Sequence, residues 1–272
     1  MLKQAVPVLL VLSILLSSCS KSGDSVNNGG NTGGNTPNPP AAYLTHTTYF
    51  AQYNLAGTAI STQGQVFEYD KANNKVTIYE ADTTSGSAYA DTITYQLTGD
   101  IVTIKHKKTP LVQTYYLNAA HTYQDSLWLV NGSVEGAYSY VHNFDASNQL
   151  TDLTHVYTQY SNGNPSQAPV PQTSHYTWQS GNLIKIDNST IVYNYTYDEN
   201  VLAAPADPVM NIVSPGQGIV ACKNIKKTSN ITIVANNGVL TSVFTYDDKG
   251  RVIKTTGTSE DGTTTLNTTT YY

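Results

Sequence analysis

The chain has 272 residues, a formal net charge of −5 and only 12% charged residues, about half the charged fraction of a typical soluble domain. It contains 21 tyrosines against 4 phenylalanines. Tyrosine and threonine favour pleated sheets, whereas helices favour Leu, Ala, Glu and Lys, so the composition predicts an all-β protein. Arg251 is the only arginine. Because phosphate and base-edge recognition rely on the forked guanidinium group, we expect no nucleic-acid partner.

Residues 1–18 have the features of a secretory signal peptide. Lys3 precedes an apolar run over residues 5–16, which is shorter than the roughly 20 apolar residues of a membrane-spanning helix. The sequence Leu16-Ser17-Ser18-Cys19 resembles a bacterial lipobox, whose cysteine receives a lipid such as palmitate and becomes the mature amino terminus. An ordinary signal peptide with a chance cysteine is the alternative. We predict lipid attachment at Cys19 and membrane association through that lipid.

Residues 19–42 are predicted to be a flexible linker. They consist largely of Gly, Asn, Ser and Pro and cannot bury enough apolar surface to offset the entropy of ordering. A linker of this length reaches roughly 25 Å. The remaining residues, 43–272, are predicted to form a single β-rich domain. Lipidation of Cys19 would leave Cys222 as a lone thiol, which we expect to be buried like a small apolar residue.

A repeated hairpin pattern runs through the chain from Tyr43 onward. Strand-like segments end in an aromatic residue, pass through a polar turn and resume with an apolar residue. Asn, Asp and Gly in the turns favour tight hairpin connections. These turns contain Asn73-Asn74, Gly99-Asp100, Asn148, Gly181-Asn182, Asn237-Gly238, Lys249-Gly250 and Asp261-Gly262. The pattern predicts a large antiparallel meander of hairpins, forming a twisted or barrel-like sheet.

Two segments interrupt this pattern. Residues 161–173 are predicted to form a Pro-rich loop. Residues 199–221 are apolar but contain three prolines, which cannot donate hydrogen bonds to a sheet. We expect this second segment to pack on the sheet, with a short helical turn at most, and to be the best candidate for a lid.

No catalytic or cofactor-binding motif is recognisable in the sequence. His155 and His175 flank the 161–173 loop and, together with His142, would form a conceivable metal site, although solvated or hydrogen-bonded histidines are the simpler interpretation. We therefore predict no cofactor and no metal, and leave enzyme activity open while favouring its absence. Trp128 and Trp178 are candidate residues for stacking on a sugar ring. The alternative is that both rings belong to the core.

Part of the sequence resembles a known repeat family. Tyr246-Asp247-Asp248-Lys249-Gly250-Arg251-Val252 resembles the Tyr-Asp-x-x-Gly-Arg-Leu core of YD (Rhs-type) repeats. Residues 176–183 and 195–198 are similar to the corresponding units of Bacteroidota lipoproteins. The resemblance covers residues 140–272, and residues 43–139 share only the regular alternation of strand-like segments and turns. It implies an outer-membrane lipoprotein with a porin-like or half-barrel sheet of unknown function, in which the motif shapes turns and has no catalytic role.

These observations predict a cell-envelope lipoprotein at the outer membrane, acting as a binding or scaffolding module for a glycan or another envelope protein. The alternative is a hydrolase that acts on polysaccharide, with its site near residues 199–221. Facing carboxylates in a pocket would favour the hydrolase, and exposed aromatic rings would favour the binding module.

Overall fold

The computed structural model describes residues 43–82, 89–119, 122–203, 208–213, 222–234 and 238–272. These residues form an all-β structure with one short helix. The strands are β1 Tyr43–Tyr53, β2 Ala59–Asp70, β3 Lys75–Asp82, β4 Tyr89–Thr98, β5 Ile101–His106, β6 Leu111–Leu117, β7 Tyr123–Val130, β8 Ser133–Phe144, β9 Leu150–Ser161, β10 Asn164–Pro165, β11 Val170–Gln179, β12 Asn182–Asp187, β13 Ile191–Leu202, β14 Asn224–Ile233, β15 Gly238–Tyr246, β16 Val252–Ser259 and β17 Thr264–Tyr271, and the helix is α1 Pro208–Val213.

The sheet closes into an antiparallel barrel. Each strand pairs with its neighbour in the chain, and β9 pairs with β11 beyond the two-residue β10. The last strand returns to the first, with Tyr53 opposite Thr264 and His46 opposite Tyr271. The described residues therefore form a ring of 16 strands, to which β10 adds a short extension of the β9 hairpin. The predictions of an all-β class, an antiparallel meander and a barrel-like sheet are confirmed.

The hairpin turns are fixed by side chains that bond their own backbone. Asp145 accepts hydrogen bonds from the backbone N–H groups of Ser147 and Gln149 at 2.8 and 2.9 Å. In the YD-like unit, Asp247 accepts the N–H of Arg251 at 2.8 Å, and its other carboxylate oxygen lies 2.7 Å from Arg251 Nε. Gly250 supplies the positive φ of 75° that this turn requires. The Asp, Gly and Arg of this unit thus all serve the turn.

One face of the sheet lines the lumen of the barrel. Residues directly opposite each other on paired strands share a face, so a row such as Tyr69, Val76, Tyr95 and Ile104 can be followed from strand to strand. Helix α1 packs on this face against β3 and β4, although it lies in the chain between β13 and β14, on the other side of the ring. Helix α1 therefore lies inside the lumen, across the ring from the two strands that flank it in the chain.

Two apolar clusters lie on the lumen face. The first joins α1 to β2–β6 and consists of Phe67, Tyr69, Val76, Ile78, Ile93, Val102, Ile104, Leu117, Val209 and Ile212. The second joins β12–β14 and consists of Leu183, Ile186, Tyr193, Tyr195, Cys222 and Ile231. The tyrosines of β13 therefore share one face, as the alternation in the sequence predicted.

The structure corrects the bounds of both irregular segments. Residues 199–202 continue β13, and Leu202 pairs with Asn224. Residues 170–173 begin β11, and residues 164–165 pair back onto β9. Packing of the second segment on the sheet is confirmed for α1, whereas residues 204–207 and 214–221 lie outside the described part of the chain. Within that part, no helix has the length and hydropathy needed to cross a membrane.

Candidate binding surfaces

The outer wall of the barrel is rich in threonine. Outward-facing threonines include Thr77, Thr94, Thr103, Thr114, Thr158, Thr177, Thr196, Thr241, Thr256 and Thr268. They occur on strands all round the ring. A barrel embedded in lipid instead carries an apolar outward band about 25 Å tall, flanked by aromatic girdles. In this barrel the large apolar clusters lie on the lumen face, and the outer wall mixes threonines with exposed apolar side chains such as Val141 and Val243.

Charged side chains also lie on the outer wall. His175 Nδ1 lies 2.7 Å from Asp152 Oδ1 across the β9–β11 pair. On the adjacent strand β12, Lys185 Nζ lies 2.8 Å from Asp187 Oδ2. Lys254, on β16, is exposed. Since charges on a lipid-facing wall cost several kcal/mol near the bilayer centre, this wall is suited to water.

A groove of about 450 Å³ crosses the outer wall over β17, β1, β2 and β3. Its lining includes Tyr49, Tyr79, Gly64, Ala81, Thr268 and Thr270. We call it the Tyr79 groove. Tyr49 and Tyr79 are 41% and 44% exposed. The Tyr79 hydroxyl donates a hydrogen bond of 3.0 Å to Glu68 Oε2, and this bond raises the tyrosine pKa.

Gly64 forms part of the floor of the Tyr79 groove. Glycine weakens a strand interior and often marks a place that another group approaches closely. At Gly64 the backbone does not require glycine, since its φ is not positive and an added Cβ would meet nothing within 4 Å. The space above Gly64 is therefore open, and a larger side chain would fill it.

A second groove, of about 530 Å³, crosses the outer wall over β6–β9. Its lining includes Tyr116, Tyr160, Asp125, Ala137, Ser139 and Thr158. We call it the Asp125 groove. Its construction resembles that of the Tyr79 groove, with small residues between two tyrosines. In addition, the Asp125 carboxylate makes no hydrogen bond or ion pair with the described residues.

Three exposed tyrosines on strands lie at these two grooves. Among the tyrosines whose side chains the structure describes, Tyr49, Tyr79 and Tyr116 are each more than a third exposed and all line a groove, and Tyr272, also exposed, follows the last strand. Sequence reasoning missed the grooves because each is assembled from residues on four strands. Gly64, a glycine within a strand-like segment, was the one local signal.

Both tryptophans face the lumen. Trp128 lies within a band of rings, with its centroid 5.5 Å from that of Tyr138 and 6.2 Å from that of Tyr157. Trp178 packs on the second apolar cluster, and its indole N–H donates to the carbonyl oxygen of Leu150 at 2.8 Å. The structure places neither ring at an outer groove, and a stacking role for either one stays a prediction.

The three histidines of the conceivable metal site do not come together. His142 and His155 face the lumen, where His155 Nε2 lies 3.2 Å from Gln172 Oε1 and burial lowers the pKa of the imidazole. His175 faces outward and contacts Asp152. The histidine hypothesis is therefore wrong, because strand alternation places His175 on the opposite face. Among the described residues, no three His, Cys, Asp or Glu side chains could hold a metal ion.

Lys226 is a buried cation on the lumen face. It is 5% exposed, and its Nζ lies 4.4 Å from the centroid of the Tyr195 ring. Within the described part of the chain it has no carboxylate partner. Burial lowers the pKa of the ammonium group to about 8. The neighbouring Lys227 is exposed.

Cys222 is buried, as expected, with 3% exposure, and its Sγ lies 3.2 Å from the Tyr197 hydroxyl. The further expectation, that Cys222 is a lone thiol, depends on the state of the other cysteine and stays a prediction. The sequence holds one other cysteine, Cys19, which lies outside the described residues. Lipidation of Cys19 therefore stays a prediction for the processed chain.

The hydrolase alternative also stays a prediction. Its site was placed near residues 199–221, and the described helix in that segment, α1, has the sequence PVMNIV without a carboxylate. Residues 204–207 and 214–221 lie outside the described part of the chain.

No family model and no curated protein matches the sequence. Among solved structures, the chain is similar to a porin-like protein from Bacteroides uniformis, with a TM-score of 0.50, 11% identity, and coverage of 83% of this chain and 97% of that protein. A porin-like protein from Bacteroides vulgatus aligns at a TM-score of 0.27 and 11% identity, over 85% of this chain and 99% of that one. At this identity the first similarity supports the fold alone, and this chain therefore has the fold of a porin-like β-barrel.

Proposed function

We propose that the protein is a cell-envelope lipoprotein, held at the outer membrane by a lipid on Cys19, whose barrel stands in water and binds glycan through the two outer grooves. The observation that carries the glycan proposal is the position of the exposed tyrosines. Among the tyrosines whose side chains the structure describes, the exposed ones on strands are Tyr49, Tyr79 and Tyr116, and each lines a groove that also contains small residues and hydroxyl groups. The predicted signal peptide, the lipobox-like sequence and the YD-like resemblance support export to the envelope.

Sugar rings match the chemistry of these grooves. The C–H faces of a sugar ring stack on aromatic rings, and tyrosine also offers a hydroxyl group to the ligand. Small residues such as Gly64 and Ala81 leave room for a ring beside Tyr49 and Tyr79. Threonine hydroxyls and carboxylates supply donors and acceptors for sugar hydroxyls, directly or through water. An envelope protein is the other ligand class that the sequence suggested, and it becomes the next candidate if glycans do not bind.

Removing the two tyrosines of the Tyr79 groove is expected to weaken glycan binding at that groove about 30-fold, because each stacked ring contributes on the order of 1 kcal/mol beyond its buried area. The variant is Tyr49→Ala with Tyr79→Ala in the chain 19–272 carrying Cys19→Ser. Binding is measured by affinity electrophoresis in gels that contain laminarin, xylan, mannan or dextran, and each mixture is assayed for new reducing ends.

Tyr272→Ala is the matched control, since Tyr272 is 69% exposed but lies at neither groove. Its mobility should equal that of the wild type. Trp128→Ala and Trp178→Ala test the lumenal rings in the same gels. If these two variants alone lose retardation, the site is lumenal and the outer-groove proposal is wrong. New reducing ends would support the hydrolase instead, and an unretarded wild type would reject glycan binding to this panel.

A further inference from the structure

We infer that the barrel is divalent, with the Tyr79 groove and the Asp125 groove each holding a separate glycan chain, so that one molecule cross-links two chains. This inference rests on the proposed function and adds the number of glycan chains that one barrel binds. It is carried by the positions of the two grooves on the ring and by the chemistry of Asp125.

The two grooves face away from each other. The Tyr79 groove is centred on β1 and β2, and the Asp125 groove on β7 and β8. These centres are six strands apart in a ring of 16 described strands, which corresponds to about 135° around a barrel with evenly spaced strands. For strands about 4.8 Å apart and tilted by about 40°, the barrel radius is about 16 Å and the grooves are about 30 Å apart.

The wall between the grooves does not favour a single wrapped chain. It is the convex outer face of β4 and β5, where the outward residues include Thr94, Thr103 and the exposed Lys105. A polysaccharide in both grooves would have to curve around a cylinder of about 16 Å radius. A chain seated in one groove therefore continues into solvent, which leaves the second groove free for another chain.

The Asp125 groove has the chemistry of an independent site. Asp125 lies within β7, and strands are depleted in aspartate. Other aspartates of the barrel have partners, such as Asp145 and Asp247 in turns and Asp152 with His175. Asp125 has none among the described residues. It is only partly exposed and lines the same groove as Tyr116 and Tyr160. The two oxygens of this carboxylate are therefore available to accept hydrogen bonds from sugar hydroxyls, beside two tyrosine rings on which a sugar can stack.

Two variants disable the grooves separately. Gly64→Thr fills the Tyr79 groove with a β-branched residue that suits a strand, at a position where an added Cβ meets no atom within 4 Å. Asp125→Ala removes the carboxylate from the other groove without adding bulk. Thermal unfolding followed by circular dichroism is expected to show both variants folded, with melting temperatures close to that of the wild type.

Isothermal titration with tetrasaccharides of laminarin, xylan and mannan measures the number of sites. We expect two sites on the wild type, one site on each single variant and none on the double variant. Turbidity with the intact polysaccharide should appear for the wild type and disappear for both single variants. One site on the wild type, or loss of all binding in either single variant, would overturn divalency and leave glycan binding standing. A wild type that binds none of the probes would overturn both.

Discussion

Replacing Lys226 with methionine is expected to stabilise the barrel by about 2 kcal/mol at pH 7, because the folded protein no longer buries an ammonium group that lacks a carboxylate partner. The pKa of about 8 against an ordinary 10.5 corresponds to roughly 3 kcal/mol of lost stability while the group is charged in both states. The substitution also removes the contact between Lys226 and the Tyr195 ring, which is worth about 1 kcal/mol. The net stabilisation is therefore smaller than the cost of burying the charge.

The same substitution should change the pH dependence of unfolding. Below pH 8, Lys226 is protonated in both states, and the cost of burial is fully present. Between pH 8 and 10.5 the unfolded chain binds the proton and the folded chain does not, so wild-type stability rises with pH. Several buried tyrosines have raised pKa values, which lowers stability again above pH 10, so the window to examine is pH 8–10.

Urea unfolding at pH 7, 8, 9 and 10 measures both effects. At pH 7 the free energy of unfolding should be higher for Lys226→Met than for the wild type. Between pH 7 and 10 it should change less with pH than that of the wild type. Lys227→Met is the matched control, because the neighbouring lysine is exposed and its removal should leave the wild-type slope unchanged. A Lys226→Met protein that is less stable than the wild type at pH 7 would show that the ammonium group is favourably solvated or paired.

Replacing Asn224 with alanine is expected to destabilise the barrel by about 3 kcal/mol and to loosen the segment that contains α1. Asn224 Nδ2 donates to the carbonyl oxygens of Glu199 and Val201 at 3.0 and 3.2 Å. Its Oδ1 accepts from Asn182 Nδ2 at 3.1 Å, and both asparagines are buried. The alanine variant removes the partner of the buried Asn182 amide and of two backbone carbonyl oxygens, and each lost hydrogen bond costs about 1 kcal/mol.

These bonds lie at the base of the lumenal segment. The N–H of Ala203 donates to the carbonyl oxygen of Lys223 at 3.1 Å, which brings the two ends of the segment together. Urea unfolding and hydrogen exchange of peptides covering residues 208–213 measure the loss. Asn230→Ala, at an exposed outward position of the same strand, is the control and should lie within 0.5 kcal/mol of the wild type. An Asn224→Ala protein with unchanged stability and exchange would contradict the role given to this asparagine.

Strands and turns were predictable because their causes are local. Period-2 alternation around Tyr193 and Tyr195 revealed one face of β13, and Asp247 with Gly250 marked a turn whose hydrogen bonds stay within four residues. Proline content misled at residues 199–202, which contain no proline and continue β13 up to Leu202, the partner of Asn224. Closure was not predictable, since it depends on the pairing of Tyr53 with Thr264 at opposite ends of the chain.

The candidate sites depended on information that alternation does not contain. Alternation separates two faces but does not say which one lines the lumen, and aromatic residues occupy both. The sequence allowed Trp178 to lie at the surface, whereas its indole N–H donates to the carbonyl oxygen of Leu150 on the lumen face. The Tyr79 groove needs Tyr49, Gly64 and Ala81 side by side, and that register is set by pairings between three strands.

Phase separation in Triton X-114 tests most directly whether the protein is a lipid-tethered barrel whose outer wall faces water. The processed wild type, isolated from cells that carry out lipidation, should enter the detergent-rich phase. The Cys19→Ser protein, folded by circular dichroism and prepared without detergent, should remain in the aqueous phase because its outward threonines and charged pairs do not favour detergent. A Cys19→Ser protein that enters the detergent phase or requires detergent to fold would contradict the water-facing wall, and an aqueous wild type would contradict the lipid anchor.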